Sequence, residues 1–180
     1  MVHPQRRLRG FTLIELMVVV ALVSVILALA IPSFTGMLAR KRLEGVALEL
    51  GTDLQYARSE AVQQNAQVQV IFGSNCYAIY VVGSTAATDC LNLGTGARQL
   101  KLVQITTGPT LTFSSASGNL FIEFEPVRGM AANAAGTNMA GNVFVASSGW
   151  QLQVFVNRYG RVKTCSPNAS VTGFSNDCSI

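Results

Sequence analysis

The sequence predicts an α+β protein: a long N-terminal helix, half membrane-spanning and half amphipathic, packed on a C-terminal antiparallel β-sandwich or meander. Three observations carry that prediction. An apolar run fills Phe11–Ile31, apolar residues then recur at three- and four-residue steps to about Gln64, and from Gln67 onward the period changes to two. With 180 residues, 49% of them hydrophobic, the chain suffices for one domain with a real core plus one extra element.

The first element, FTLIELMVVVALVSVILALAI, is interrupted only by Glu15 and small hydroxyls. As a helix it is about 30 Å long, the thickness of a bilayer's hydrocarbon core. Residues 1–10 before it form a basic leader through Arg6, Arg7 and Arg9. A secretory signal is the rival reading, with Ala28-Leu29-Ala30 as its cleavage site. Glu15 inside the apolar region and Pro32 beside the cut both oppose it. Such a carboxylate costs about 2.5–3.5 kcal/mol at mid-bilayer and less near the interface, which makes Glu15 a functional candidate. The alternative is a glutamate that merely faces headgroups.

Gly10-Phe11-Thr12-Leu13-Ile14-Glu15, placed between a basic leader and an apolar run, resembles the type IV prepilin motif. The resemblance implies that a prepilin peptidase cuts after Gly10 and methylates Phe11. It also implies that Glu15, the fifth residue of the mature chain, pairs with the N-terminal amine of a neighbouring subunit. A carboxylate in an apolar filament core needs such a partner or must take up a proton.

Pro32 removes a helical hydrogen bond, so a kink is expected between the helix of 11–32 and the helix of 33–66. In the second helix Phe34, Met37, Leu38, Leu43, Val46, Ala47, Leu50, Leu54, Ala57 and Ala61 make one apolar stripe. Arg40-Lys41-Arg42 reads as a solvated face with Glu44 as partner.

Residues 67–180 read as the β domain. Strands are expected where Val68, Val70 and Phe72 alternate, and likewise Tyr77, Ile79 and Val81, then Leu120, Ile122 and Phe124, then Leu152, Val154 and Val156. Shorter candidates are 100–105 and 143–146. The segments 83–97, 106–119 and 128–142 are rich in Gly, Ser, Thr, Asn and Ala and read as loops.

Cys76, Cys90, Cys165 and Cys178 contain no C-x-x-C, and their spacing fits two local disulfides better than a zinc site. Of the three pairings, Cys76–Cys90 and Cys165–Cys178 are favoured because each closes one loop beside a strand. Disulfides place the domain in an oxidising compartment, here the periplasmic side. Four buried free thiols are the alternative.

The chemistry of a catalyst is missing. The one histidine, His3, lies in the leader, which excludes Ser-His-Asp, Cys-His and histidine–metal sites from the mature protein. Glu123 and Glu125 share a strand face and read as a solvent-facing edge, and Gly94-Thr95-Gly96 lacks the rest of a dinucleotide fingerprint. No catalytic residue, metal or cofactor is expected, and the protein reads as no enzyme. The net charge of +4 owes three cations to the leader, so bulk charge says little about partners. Local charge says more: in residues 126–180, Arg128, Arg158, Arg161 and Lys163 stand against Asp177 alone.

The α+β organisation, Phe124-x-Pro126-x-Arg128-Gly129 and Tyr159-Gly160-Arg161-Val162-Lys163 together resemble the GspH/FimT family of minor pilins and pseudopilins. That resemblance implies a pilin-like fold, a single-pass inner-membrane anchor with a periplasmic domain, and extrusion in a type IV pilus or type II secretion pseudopilus. The implied partners are other pilin subunits, the prepilin peptidase and the inner membrane. FimT-type members are associated with DNA uptake through a basic G-R-x-R motif, so Arg158, Arg161 and Lys163 are candidate DNA-binding residues. Lys163 stands where that motif has arginine, which keeps the charge and loses the bidentate geometry. A solvated or subunit-facing basic edge is the other reading.

Overall fold

A computed structural model of the chain describes residues 10–73, 75–115, 120–132, 141–147 and 149–178. The leader arginines Arg6, Arg7 and Arg9 lie outside the described residues. The chain divides between Leu38 and Ala39 into two units. One helix, α1 (Leu13–Gln64), contributes to both and is assigned without interruption through Pro32.

In the first unit α1 begins with a cap. Thr12 Oγ1 accepts the N–H of Glu15 at 3.3 Å, and the Thr12 carbonyl accepts the N–H of Leu16 at 3.2 Å. Thr12 is therefore the N-cap, and Glu15 holds the third helical position, the spacing of a capping box. Phe34, Met37 and Leu38, expected on the buried stripe, are exposed.

In the second unit the stripe proper starts at Leu43. Leu43, Ala47, Leu50, Leu54, Ala57 and Ala61 are all fully buried. The helix ends in a Schellman motif: Asn65 takes the left-handed conformation (φ 49°), Ala66 N–H donates to Ala61 O, and Asn65 N–H donates to Val62 O.

Two antiparallel sheets complete this unit. The first orders β3 (Arg98–Gln104), β2 (Cys76–Val81), β1 (Val68–Phe72), β5 (Phe121–Phe124) and β6 (Ala131–Ala132). The second orders β4 (Thr110–Ser115), β7 (Gly141–Ser147), β8 (Trp150–Val156) and β9 (Val162–Cys165). The helix stripe and the inner faces of both sheets share one core, where Phe72 of β1 stacks on Phe113 of β4 at 4.7 Å.

Several strand expectations need correction. Strand β4 lies inside 106–119, read as a loop, and β6 lies inside 128–142, whose residues 133–140 are outside the described residues. Leu120 is exposed and precedes β5. The alternation expected in 77–81 is absent, because Ala78 and Tyr80 are as buried as Tyr77 and Ile79. Segment 83–97 supplies the reason: Ala87, Cys90, Leu93 and Ala97 pack on the outer face of the sheet as a second core. Gln153 is buried as well, which breaks the pattern expected in β8.

Cys76 is bonded to Cys90 (Cα–Cα 6.1 Å) and Cys165 to Cys178 (Cα–Cα 5.4 Å). A polar clamp joins α1 to the first sheet. Asp53, 6% exposed, accepts Tyr77 Oη–H at 2.7 Å and pairs with Lys101 Nζ at 2.7 Å; Lys101 also reaches Glu49 at 3.1 Å.

Candidate functional site

Two places carry the candidate residues. The first is the start of α1. Gly10 and Phe11 are exposed ahead of the helix, and the large apolar side chains from Leu13 to Leu27 are exposed too. A helix that presents Leu, Ile, Val and Met all round is made for an apolar environment, not for one face of a globular core. Its polar groups are already quiet: Ser24 Oγ donates to Ala21 O at 2.8 Å, and the cap occupies Thr12. Glu15 is the exception, a carboxylate exposed within this surface. Among the described residues no helix is long and apolar enough to cross a membrane; the described side chains of the run stop at Ala28.

The second place is the turn between β8 and β9. Asn157 builds it: its Oδ1 accepts the N–H groups of Tyr159 (3.0 Å) and Arg161 (2.9 Å), and its own N–H donates to Arg161 O at 3.0 Å. Gly160 completes the turn with φ +71°. Arg158 and Arg161 are thereby held at the two ends of one exposed turn, with the Arg158 guanidinium 5.5 Å from the Tyr159 ring centroid. Lys163, the third candidate, is partly buried on the edge strand β9 and engaged in an interaction of its own.

Sequence reasoning missed the residue that props this turn. Arg58 of α1 passes beneath it, with Nη1 3.5 Å from Gly160 O. A Cβ on Gly160 would stand 2.6 Å from Gly129 O and 2.9 Å from Arg58 Cδ, and one on Gly129 would stand 3.0 Å from Arg58 Nε. Gly129 also has positive φ, +58°. Ala131 N–H donates to Arg158 O at 2.9 Å, tying the loop of Gly129 to the turn of Gly160. The two short motifs singled out in the sequence thus meet across Arg58. Beside them α1, Arg161 and Val162 line a groove of about 580 Å³.

The remaining charged candidates are accounted for. Glu44 accepts Arg40 Nε at 2.9 Å and Lys41 Nζ at 2.7 Å, and the Lys41 hydrogen bond, with Arg40 behind it, holds its carboxyl below the usual range. Arg40 is more than a solvated side chain, since its Nη2 also donates to Thr172 O at 2.9 Å. Glu123, expected on a solvent-facing edge, is half-buried on β5, a strand flanked by β1 and β6. It accepts Gln69 Nε2 at 2.5 Å, and Gln69 Oε1 accepts Tyr80 Oη–H. Burial, helped by the Glu123 charge, pushes Tyr80 up to about 12.

Comparison with known families decides the kinship. The family described as Type II transport protein GspH matches residues 46–160. The chain belongs to the GspH family. The prokaryotic N-terminal methylation motif matches residues 5–31, which include Gly10, Phe11 and Glu15. Among curated proteins, type IV major fimbrial protein FimA of Dichelobacter nodosus is 46% identical over 50 residues, covering 27% of this chain and 31% of FimA. The chain thus spans about a third of these relatives' length. Among solved structures, the type IV minor pilin FimU of Pseudomonas aeruginosa matches with TM-score 0.53 and 21% identity, over 69% of this chain and 88% of FimU. A second crystal form gives 0.52 and 20%, over 72% and 97%. GspH kinship and a pilin-like α+β fold follow.

Proposed function

We propose that this GspH-family chain is a minor pilin or pseudopilin, a structural subunit of a type IV pilus or type II secretion pseudopilus. One observation carries the reading: the start of α1, residues 13–28, exposes apolar side chains all round and carries one carboxylate, Glu15, in its first turn. The full run Phe11–Ile31, about 30 Å as a helix, anchors the chain in the inner membrane with residues 67–180 on the periplasmic side. A prepilin peptidase cuts between Gly10 and Phe11, and Phe11 becomes the methylated N-terminus. Inside a filament the Glu15 carboxylate meets the N-terminal amine of a neighbouring subunit and fixes the axial register of one helix against the next, because any other register leaves both charges unpaired in an apolar core.

The capping-box spacing makes a sharp test. Glu15→Gln keeps a side chain that serves a capping box and removes the charge, whereas Glu15→Val removes both. Both variants should remain stable and membrane-inserted, since losing a charge eases insertion. Both should be depleted from sheared filaments. Normal incorporation of either would overturn the register role, and a mature N-terminus at Ile31 by mass spectrometry would overturn the pilin reading altogether.

A further inference from the structure

Arg58, Arg128, Arg158 and Arg161 gather at the Gly129–Gly160 contact, and none of the ion pairs among the described residues includes any of them. Exposed apolar side chains adjoin them: Val62, beside Gly129, is 48% exposed, Val127, next to Arg128, 79%, and Tyr159, next to Arg158, 58%. The groove of about 580 Å³ runs alongside. Arginine and tyrosine around an exposed apolar centre is the composition of a binding hot spot. Covering these guanidinium groups without supplying carboxylates would strand buried charge, so an occupant must bring acidic groups.

The chain's own carboxylates are mostly committed within the protein. Of its nine acidic residues, Glu44, Glu49, Asp53, Glu60 and Glu123 are each engaged by a lysine, arginine, tyrosine or glutamine of the same protein. Asp89, Glu125 and Asp177 belong to three separate segments, and Glu15 to the first unit. The face is therefore not complementary to a second copy. We propose that it docks a different protein, through a segment that sets carboxylates around an apolar anchor. A phosphate backbone would satisfy the arginines and leave Val62 and Val127 without a purpose. The proposal is independent of the filament reading, since the N-terminal segment plays no part in it.

The test uses the full-length chain in detergent micelles and fluorescence anisotropy with three probes: a peptide of alternating Glu/Asp and Leu/Phe, its Gln/Asn counterpart, and a DNA oligonucleotide. The acidic peptide should bind and the neutral one should not. Arg128→Gln with Arg161→Gln should weaken binding roughly tenfold, and Val127→Ser should weaken it further. These positions are exposed, and circular dichroism checks that the fold persists. A photo-crosslinker at Val127 should yield no dimer of the chain alone. Three results would overturn the proposal: peptide binding indifferent to these substitutions, oligonucleotide binding that needs the arginines while Val127→Ser has no effect, or efficient self-crosslinking at Val127.

Discussion

At the scale of single residues, the second unit turns on an arginine threaded between two glycines. Gly160 holds φ +71° with Gly129 O 2.6 Å from where a Cβ would be; Gly173 holds φ +98° with nothing within 4 Å. Alanine in the left-handed region costs about 1–2 kcal/mol by itself. Gly173→Ala should show that backbone share alone, and Gly160→Ala should lose clearly more in thermal unfolding of the full-length chain, the difference measuring the close approach. Equal losses would mean that the turn yields freely. Thr12 offers a second measurement at this scale. Thr12→Ala removes the acceptor for Glu15 N–H and should cost about 1 kcal/mol of local helix stability, read as faster amide exchange at Glu15. The sequence announced Glu15 by the improbability of a carboxylate there. The T-x-x-E spacing also marks Thr12 as a cap, a signal embedded at the edge of an apolar run of membrane-spanning length. Arg58 had no local signature, because its partners stand at 129 and 160.

At the scale of elements, the seam between α1 and the first sheet is held by Asp53, Tyr77 and Lys101. Burial first, then the hydrogen bond to Asp53, pushes the Tyr77 hydroxyl far above its usual range. Lys101 is also raised: burial works against its charge, and Asp53 and Glu49 outweigh it. Both folded-state values lie above the unfolded ones, about 10 for tyrosine and 10.4 for lysine. Their stabilisation is therefore complete below about pH 10 and declines as pH rises further, because the unfolded chain then releases protons that the folded one retains. Melting temperature should stay level across the neutral range and fall above about pH 10. Tyr77→Phe should cost about 1.5–3 kcal/mol, the worth of a hydrogen bond to a charged group, and should flatten that fall. The strands were unequally legible in the sequence. Long alternating runs such as 68–72 and 152–156 stood out. Strand β4 hid because Thr110, Thr112, Ser114 and Ser115 gave it a loop's composition, although β-branched threonine suits a pleated surface. The double-sided burial of β1 and β2 was illegible, since periodicity cannot reveal a loop that folds back over a sheet.

At the scale of the whole molecule, the α+β class and the pilin-like kinship were readable from three successive patterns and a six-residue motif, because those signals are local. The basic turn was readable only as a cluster of charges; its support from Arg58 joins three distant stretches of chain. The cystines act at this scale as well, since Cys165–Cys178 ties down the tail that carries Thr172, the partner of Arg40. Replacing both cysteines by serine should cost about 3 kcal/mol, the chain-entropy value for a loop of this size, and shift the denaturant midpoint accordingly. An unchanged midpoint would mean that the tail contributes nothing to global stability. The Arg58 contact also bears on the order in which substitutions can accumulate. The nearest atoms to a side chain at 129 belong to Arg58 and Val62, whereas the nearest to one at 160 is the Gly129 carbonyl oxygen. Once residue 58 becomes small, position 129 keeps the strain of its left-handed backbone, and position 160 keeps both that strain and the backbone clash. Divergence along a lineage would then run through the arginine first, with the second glycine the last to change.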